Sequence, residues 1–288
     1  MSHVAAEIAS QPDCWRRAID IAPSAAGLPL PGERVAVIGC GTSLYMAQAY
    51  AVLRERAGQG ETDAFAASEF PRRPYDRVLA ITRSGTTTEV LAALEATSSP
   101  TTAITGDPNT PIMDVAGQVV VLDFADEKSV VQTRFATTGL VLLRAHLGQA
   151  PDDLVAQAEN ALAADLPENA LDRRQYTFLG AGWTNGLAQE AGLKLREAAG
   201  AWAEAYPGME YRHGPISVAD ERSLIWSFGR APEGLLDDVR ATGATAVESA
   251  GDPLADLIRA QRLAVALAEA QGLDPDQPRN LTRSVILT

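Results

Sequence analysis

A short apolar run that ends in Gly-x-Gly and then drops into a helical pattern occurs twice in this chain. Arg34–Gly39 (RVAVIG) breaks into Cys40-Gly41-Thr42-Ser43 and predicts a helix from about 44 to 57. Tyr176–Gly180 (YTFLG) breaks into Ala181-Gly182-Trp183-Thr184-Asn185 and predicts a helix over 187–198. Gly39 and Gly41 are spaced as Gly180 and Gly182 are. Two further runs match in order: Arg77–Ile81 (RVLAI) with Arg222–Trp226 (RSLIW), and Thr101–Thr105 (TTAIT) with Ala244–Glu248 (ATAVE). The three offsets are 141, 145 and 143 residues. Self-similarity at one period across several elements is the signature of an internal repeat.

Apolar runs of five or six residues bounded by glycine are the kind buried on both faces of a parallel sheet. Here they alternate with helical patterns at 89–96 and in a stretch that includes Thr137–Leu147, and a further run, Val119–Leu122, falls between these two. The expected fold is therefore α/β, two tandem doubly wound parallel-sheet domains, flavodoxin-like and related by duplication. The expected divisions are a lead-in helix over 1–24, a first domain over 25–148 and a second over 149–288. The lead-in is amphipathic from 4 to 20 and interrupted at Gln11-Pro12. A polar, Ala- and Asp-rich crossover at 148–173 carries the boundary between the domains.

Charge narrows the partners. A net −13 opposes binding to nucleic acid or to an anionic membrane, since both need a positive field. It leaves room for a small anionic substrate held in a local site. Two cysteines, Cys14 and Cys40, form neither a disulfide framework nor a metal pattern. No apolar run approaches the roughly 18 residues of a membrane span. The expectation is a cytoplasmic protein without metal or other cofactor.

The two halves differ in their turns. Five hydroxyls fall within seven residues at Thr82, Ser84, Thr86, Thr87 and Thr88, and Thr42-Ser43 adds two more. The matching turns of the second half read Trp183-Thr184-Asn185 and Ser227-Phe228-Gly229. Hydroxyls and free amides at a helix N-terminus, on the carboxyl edge of a parallel strand, suit a phosphate. Capping alone would account for one or two of them. The Walker pattern is absent, and Gly39-Cys40-Gly41 lacks the third glycine of a dinucleotide fingerprint, so a nucleotide is the weaker expectation.

Candidate acid–base groups cluster in Ala191–Pro215 (AGLKLREAAGAWAEAYPGMEYRHGP). Lys194 and Glu197 share a helix face with Glu190 one turn back. Glu204 follows, and a break at Pro207-Gly208 leads to Glu210 and His213. A carboxylate and an imidazole are what proton transfer on a sugar requires. A solvated helix face is the competing explanation. His3 and His146 belong to a terminus and to a helix end.

Several of these stretches together resemble a known family. GCGTS at Gly39–Ser43, ASEF at Ala67–Phe70, TRSGTTTE at Thr82–Glu89, LKLREAAGAWAEAYPGMEYRHGP at Leu193–Pro215 and DQPRNLTRSV at Asp276–Val285 occur in family order. They resemble the tandem sugar-isomerase (SIS) domains that form the isomerase half of glucosamine-6-phosphate synthase, over essentially the whole chain. EKSVVQTRFATT at Glu127–Thr138 is closer to the stand-alone phosphosugar isomerase/deaminase branch.

The resemblance implies that Thr82, Ser84 and Thr87 hold a sugar phosphate, with Cys40, Gly41, Thr42 and Ser43 lining the pocket. Arg83, where the synthase has a neutral amide, would add a cation. Glu197 matches the enolisation base, Lys194 a pocket lysine and His213 the ring-opening histidine. In the family that histidine serves the partner subunit's pocket, so a homodimer is implied. Nothing in the chain resembles the glutaminase half. Arg283, counted with the expected substrate-binding residues, stands where the synthase has its Schiff-base lysine, and a guanidinium that stays protonated cannot form that imine.

The leading expectation is a phosphosugar isomerase/deaminase acting on glucosamine 6-phosphate or fructose 6-phosphate. The alternatives are a deglycase for fructosamine-6-phosphate-type conjugates and a non-catalytic phosphosugar sensor. Retention of both Glu197 and His213 favours an enzyme over the sensor.

Overall fold

A computed structural model describes residues 2–71 and 73–287. The chain opens with two helices, α1 (His3–Ala9) and α2 (Gln11–Ile21), broken at Ser10 with Pro12 in the first turn of α2. A proline costs nothing there, because the first amides of a helix have no intrahelical acceptor. The chain then divides into two compact units. One is Ser10–Asp152 with the tail from Thr282 onward; the other is Asp153–Leu281 with the residues up to Ala9.

The Ser10–Asp152 unit carries a five-stranded parallel sheet. Its elements after α2 are β1 (Val35–Gly39), α3 (Thr42–Arg56), β2 (Thr62–Ala66), β3 (Arg77–Ile81), α4 (Thr88–Glu95), β4 (Thr101–Thr105), α5 (Ile112–Val115), β5 (Gln118–Val121) and α6 (Arg134–His146). The strand order is β2-β1-β3-β4-β5, the doubly wound order expected of a flavodoxin-like sheet. Inner strand β1 is buried at every residue, whereas edge strands β2 and β5 are mostly half-exposed. Arg54, fully buried at the end of α3, donates to the carbonyls of Leu30 and Glu33 and to Thr62 Oγ1, which fastens that helix to the loop before β1 and to β2.

The other unit repeats the plan with four strands. It contains α7 (Leu154–Ala163), β6 (Gln175–Gly180), α8 (Thr184–Ala199), β7 (Ala203–Pro207), β8 (Ser223–Phe228), α9 (Leu235–Ala241), β9 (Thr245–Glu248) and α10 (Pro253–Ala270). The order β7-β6-β8-β9 reproduces the first four positions of the larger sheet. Trp226 on β8 stacks on Phe228 and donates its indole N–H to buried Asp256 on α10, 2.7 Å away. α1 joins this unit through α10 and through the Asp276 carboxylate, which accepts the His3 and Val4 amides at 2.6 and 2.8 Å.

Ladder register corrects the sequence alignment of the halves. Gly39 pairs with Ala66 and Gly180 with Pro207, which keeps an offset of 141 on that side. Ala36 pairs with Val78 and Thr177 with Ile225, so the next strands are offset by 147 rather than 145. Val78 pairs with Thr101 and Ile225 with Ala246, an offset of 145 rather than 143. Each slip is two residues, which leaves every side chain on the same sheet face and is therefore invisible to an apolar-pattern match. Edge strands β2 and β7, to which the sequence reading assigns no strand, are short and polar enough to carry no such pattern.

Glycines in the two halves predict opposite outcomes. A Cβ on Gly180 would lie 2.3 Å from the Thr184 carbonyl oxygen, where the strand end meets the first turn of α8. Gly180→Ala is expected to destabilise by about 1–3 kcal/mol. A Cβ on Gly139, inside α6, would meet nothing within 4 Å, so Gly139→Ala is expected to stabilise by about 0.5–1 kcal/mol. Urea midpoints at unchanged slope measure both.

Candidate active site

In the five-stranded unit the chain leaves β1 toward one edge and β3 toward the other. A crevice therefore opens at their carboxyl ends, the usual ligand position in open α/β sheets. The two turns at that point are the hydroxyl-rich ones. Gly41 takes φ +54°, and a Cβ on Gly39 would lie 2.7 Å from the Ser43 backbone, so glycine is what lets the strand end pass so close to α3. Thr42 and Ser43 are buried in the first turn of α3, and Thr82 and Ser84 are buried after β3. Thr87 immediately precedes α4, and its side chain makes no capping bond. Capping therefore does not account for the Thr87 hydroxyl.

Arg83 is arranged differently from the expectation of a phosphate-binding cation. It is 2% exposed, and its guanidinium donates to the carbonyls of Ser129, Val130 and Arg283 at 2.9, 3.3 and 2.6 Å. Arg283 is likewise engaged, with its Nη2 donating to both carboxylate oxygens of Asp126 at 2.7 and 2.9 Å and its Nη1 to the Glu127 carbonyl. Both arginines thus tie separate segments of this unit together. The Cys40 thiol is pushed up from its usual range by burial and by the negative charge of Glu89, only partly opposed by a backbone hydrogen bond from Ala67.

In the four-stranded unit, α8 carries the charged cluster. Lys194 Nζ lies 3.5 Å from Glu190 Oε1 and is hydrogen-bonded to Glu197. Side-chain exposure separates the three: 1% for Lys194 and Glu190, but 20% for Glu197. A buried lysine held by two carboxylates is a fixed cation, and Glu197 is the member that reaches the surface. It lines a pocket of about 380 Å³ together with Arg196, Asp274, Arg279 and Asn280.

The same helix ends at Gly200, whose φ of +59° lets the final turn close with Gly200 N–H on the Arg196 carbonyl. Glu204 falls on β7 beside Gln175, and Glu210 is exposed. His213 sits at the end of a short 3₁₀ turn, Glu210–His213. Tyr211 anchors that turn in the core, where burial pushes its hydroxyl up to about 12, and His213 is exposed. The structure thus brings Lys194 and Glu197 together and leaves His213 outside the pocket beside Glu197.

The sequence reading missed the part played by the segment 126–134. Glu127, buried and seven residues before Arg134, accepts the Thr133 and Arg134 amides at 2.6 and 2.9 Å and so caps α6 from outside the helix. A carboxylate so far from the helix start falls outside the usual capping spacing; only the family-like EKSVVQTRFATT string marks it.

Comparison with known proteins places this geometry in a fold. No family model matches the chain. A glutamine–fructose-6-phosphate aminotransferase (isomerizing) from Thermosynechococcus vestitus is 27% identical over 322 residues, which cover 88% of this chain and 51% of the relative. The chain thus spans about half the length of that relative. Among solved structures, a glucosamine-6-phosphate deaminase from Thermotoga maritima superposes with a TM-score of 0.84 at 23% identity, covering 99% of this chain and all of the other. The C-terminal domain of a glucosamine-fructose-6-phosphate aminotransferase from Francisella tularensis gives 0.77 at 22% identity, over 96% and 98% of the two chains. The fold is the phosphosugar-isomerase (SIS) α/β fold, related to the isomerase half of those aminotransferases. Among the described residues, no helix is long and apolar enough to cross a membrane and no cluster of His, Cys, Asp or Glu is placed to hold a metal.

Two outcomes are expected from the electrostatics. Lys194→Met leaves the buried Glu190 carboxylate without its cation and is expected to cost about 3–5 kcal/mol in urea unfolding. The double change Glu190→Gln/Lys194→Met should recover most of that loss. Because the Cys40 thiol sits above its usual range, less of it is thiolate at any given pH. Its alkylation by iodoacetamide, followed by mass spectrometry, should lag a free cysteine at pH 7, and its rate should level off only at a higher pH than that of a free cysteine.

Proposed function

We propose that this chain is a phosphosugar isomerase/deaminase acting on a sugar or amino-sugar 6-phosphate. The observation that carries the reading is the α8 cluster. Glu197 is a carboxylate oriented by a buried lysine and still open to a pocket, which is how a proton-shuttling base has to be presented. The SIS fold, and the relatives whose names concern glucosamine 6-phosphate and fructose 6-phosphate, supply the substrate class. The matching strand orders of the two sheets are read as two tandem SIS domains.

Roles are assigned by chemistry. Thr82, Ser84 and Thr87, with Cys40, Gly41, Thr42 and Ser43, are assigned the phosphate, because hydroxyls and helix-start amides hold an anion without a net cation. Glu197 is assigned the proton transfer between C1 and C2 of the opened sugar. For an amino sugar, it removes the C2 proton and returns it at C1, while one amine proton crosses from the C2 nitrogen to O1. This leaves a C2 imine that water hydrolyses to a ketone and ammonia. For a plain ketose it removes the C1 proton and returns it at C2, while the hydroxyl proton crosses from O1 to O2. His213, exposed on its turn, is assigned ring opening in the pocket of a second copy, which makes the working form a homodimer. Arg283 takes no part in imine chemistry.

A deglycase for amino-acid conjugates is the second reading. It is favoured by Arg196 and Arg279, which stand in the Glu197 pocket where a conjugate's carboxylate would be received.

Turnover of glucosamine 6-phosphate, and of fructose 6-phosphate with ammonium, followed by mass spectrometry in deuterated water tests the proposal. Glu197→Gln is expected to lower turnover about 10²–10⁴-fold, and an undiminished rate would remove Glu197 from the mechanism. Ser84→Ala or Thr87→Ala should weaken phosphosugar binding by about 1.5–3 kcal/mol, the worth of one hydrogen bond to a charged group.

A further inference from the structure

Residues 284–287 lie across the start of α4. Thr86 Oγ1 donates to Ser284 Oγ at 3.0 Å, the Thr88 amide donates to the Val285 carbonyl at 3.2 Å, and the Leu287 amide donates to Thr88 Oγ1 at 2.9 Å. The segment 284–287 is thus a strap over the hydroxyl-rich turn, and it occupies an amide at the positive end of α4. Its own contacts there are few and largely exposed. The anchors that hold it in place come just before it: the Arg283 side chain on Asp126 and the Glu127 carbonyl, and the Arg83 guanidinium on the Arg283 carbonyl.

We propose that Asp126 and Arg283 are a positioning pair that sets this strap against the phosphate turn. An exposed ion pair alone would be a weak fastener. This one works together with a hydrogen bond to a main-chain carbonyl of a loop that is itself pinned, since the Asp126 carbonyl accepts the Arg134 side chain and the buried Glu127 carboxylate caps α6. Arg283 therefore has both of its terminal nitrogens engaged on protein acceptors and acts through the placement of Ser284 and Val285. Neither residue of the pair is assigned a contact with the reacting atoms. The proposal rests on the reading of the turn as a phosphate site, but the placement of the strap is measurable without any ligand.

Hydrogen exchange and ligand titration on the full-length protein test it. In Asp126→Asn and in Arg283→Gln, the Thr88 amide and the peptide covering 284–287 should lose at least tenfold in protection. Peptides from β6 and α8 should be unchanged. The double variant should lose no more than the worse single, because both changes break one interaction. Arg283→Lys, which keeps the charge but not the planar bridge to Asp126 and the Glu127 carbonyl, should restore only part of the protection. With glucosamine 6-phosphate, the singles should raise KM about tenfold and leave kcat within about twofold. Inorganic phosphate should compete less well against them than against wild type.

Unchanged protection of Thr88, or losses that multiply in the double variant, would overturn the positioning role. Protection lost with KM unchanged would overturn the link to the phosphate turn. Absence of phosphosugar binding by the wild type would instead remove the functional reading and leave the exchange result to decide the pair.

Discussion

A parallel sheet buried on both faces can offer chemistry only where its strands end, and that constraint governs this molecule. Every residue of β1 and β8 is buried, so no side chain along those strands reaches solvent. Function is confined to the turns just past the strand ends and to the helices that start there. In the five-stranded unit those positions carry Thr42, Ser43, Thr82, Ser84 and Thr87. In the four-stranded unit the corresponding positions, at offsets of 141 and 147, carry Trp183, Thr184, Gly229, Ala231 and Gly234. The same topology therefore presents a hydroxyl-rich edge in one unit and a largely non-polar edge in the other. In the second, the charged cluster lies on the body of α8.

The distribution of charge fits that division. The protein is strongly acidic, and a free guanidinium near the hydroxyl-rich turn would be the obvious way to attract a phosphate. Arg83 and Arg283 are instead used on carbonyls and on Asp126. An anion arriving there would be held by dipoles and hydroxyls whose positions are already set, and the arginines contribute by holding the surrounding segments. On α8 the logic is reversed. Lys194 is buried with Glu190 and Glu197 both beside it, and that pairing keeps the Glu197 carboxylate in one orientation.

The features that could be read from the sequence obey the same physics. β1, β3, β6 and β8 are inner strands, so they appear as mostly apolar runs, and Gly39 and Gly180 mark the ends of β1 and β6, where a Cβ would collide with the following helix. β2 and β7 are edge strands with half their surface in water, and TDAFA and AEAYP read as nothing in particular. The Lys194–Glu197 pair was legible because helical spacing fixes it locally. The partners of Arg83 were not. They lie 46, 47 and 200 residues away, and no local pattern announces that a buried guanidinium will bind carbonyls. The same holds for Glu127, which caps α6 from outside the helix.

Arg283 shows why residue identity alone misjudges a site. Beside the synthase pattern, an arginine in place of an imine-forming lysine looks like the loss of a catalytic group. In the structure the substitution also adds something a lysine could not fully supply: one planar group bonds both Asp126 oxygens through one nitrogen and the Glu127 carbonyl through the other. That geometry ties the chain terminus to the loop that caps α6. A lysine there would make a single, freely rotating ion pair and leave its amine available for attack on a ketone. The guanidinium offers no such amine, and the same atoms bond Asp126 and the Glu127 carbonyl. Enolisation does not depend on that amine. It requires a base, which Glu197 can provide, and an opened sugar phosphate to act on.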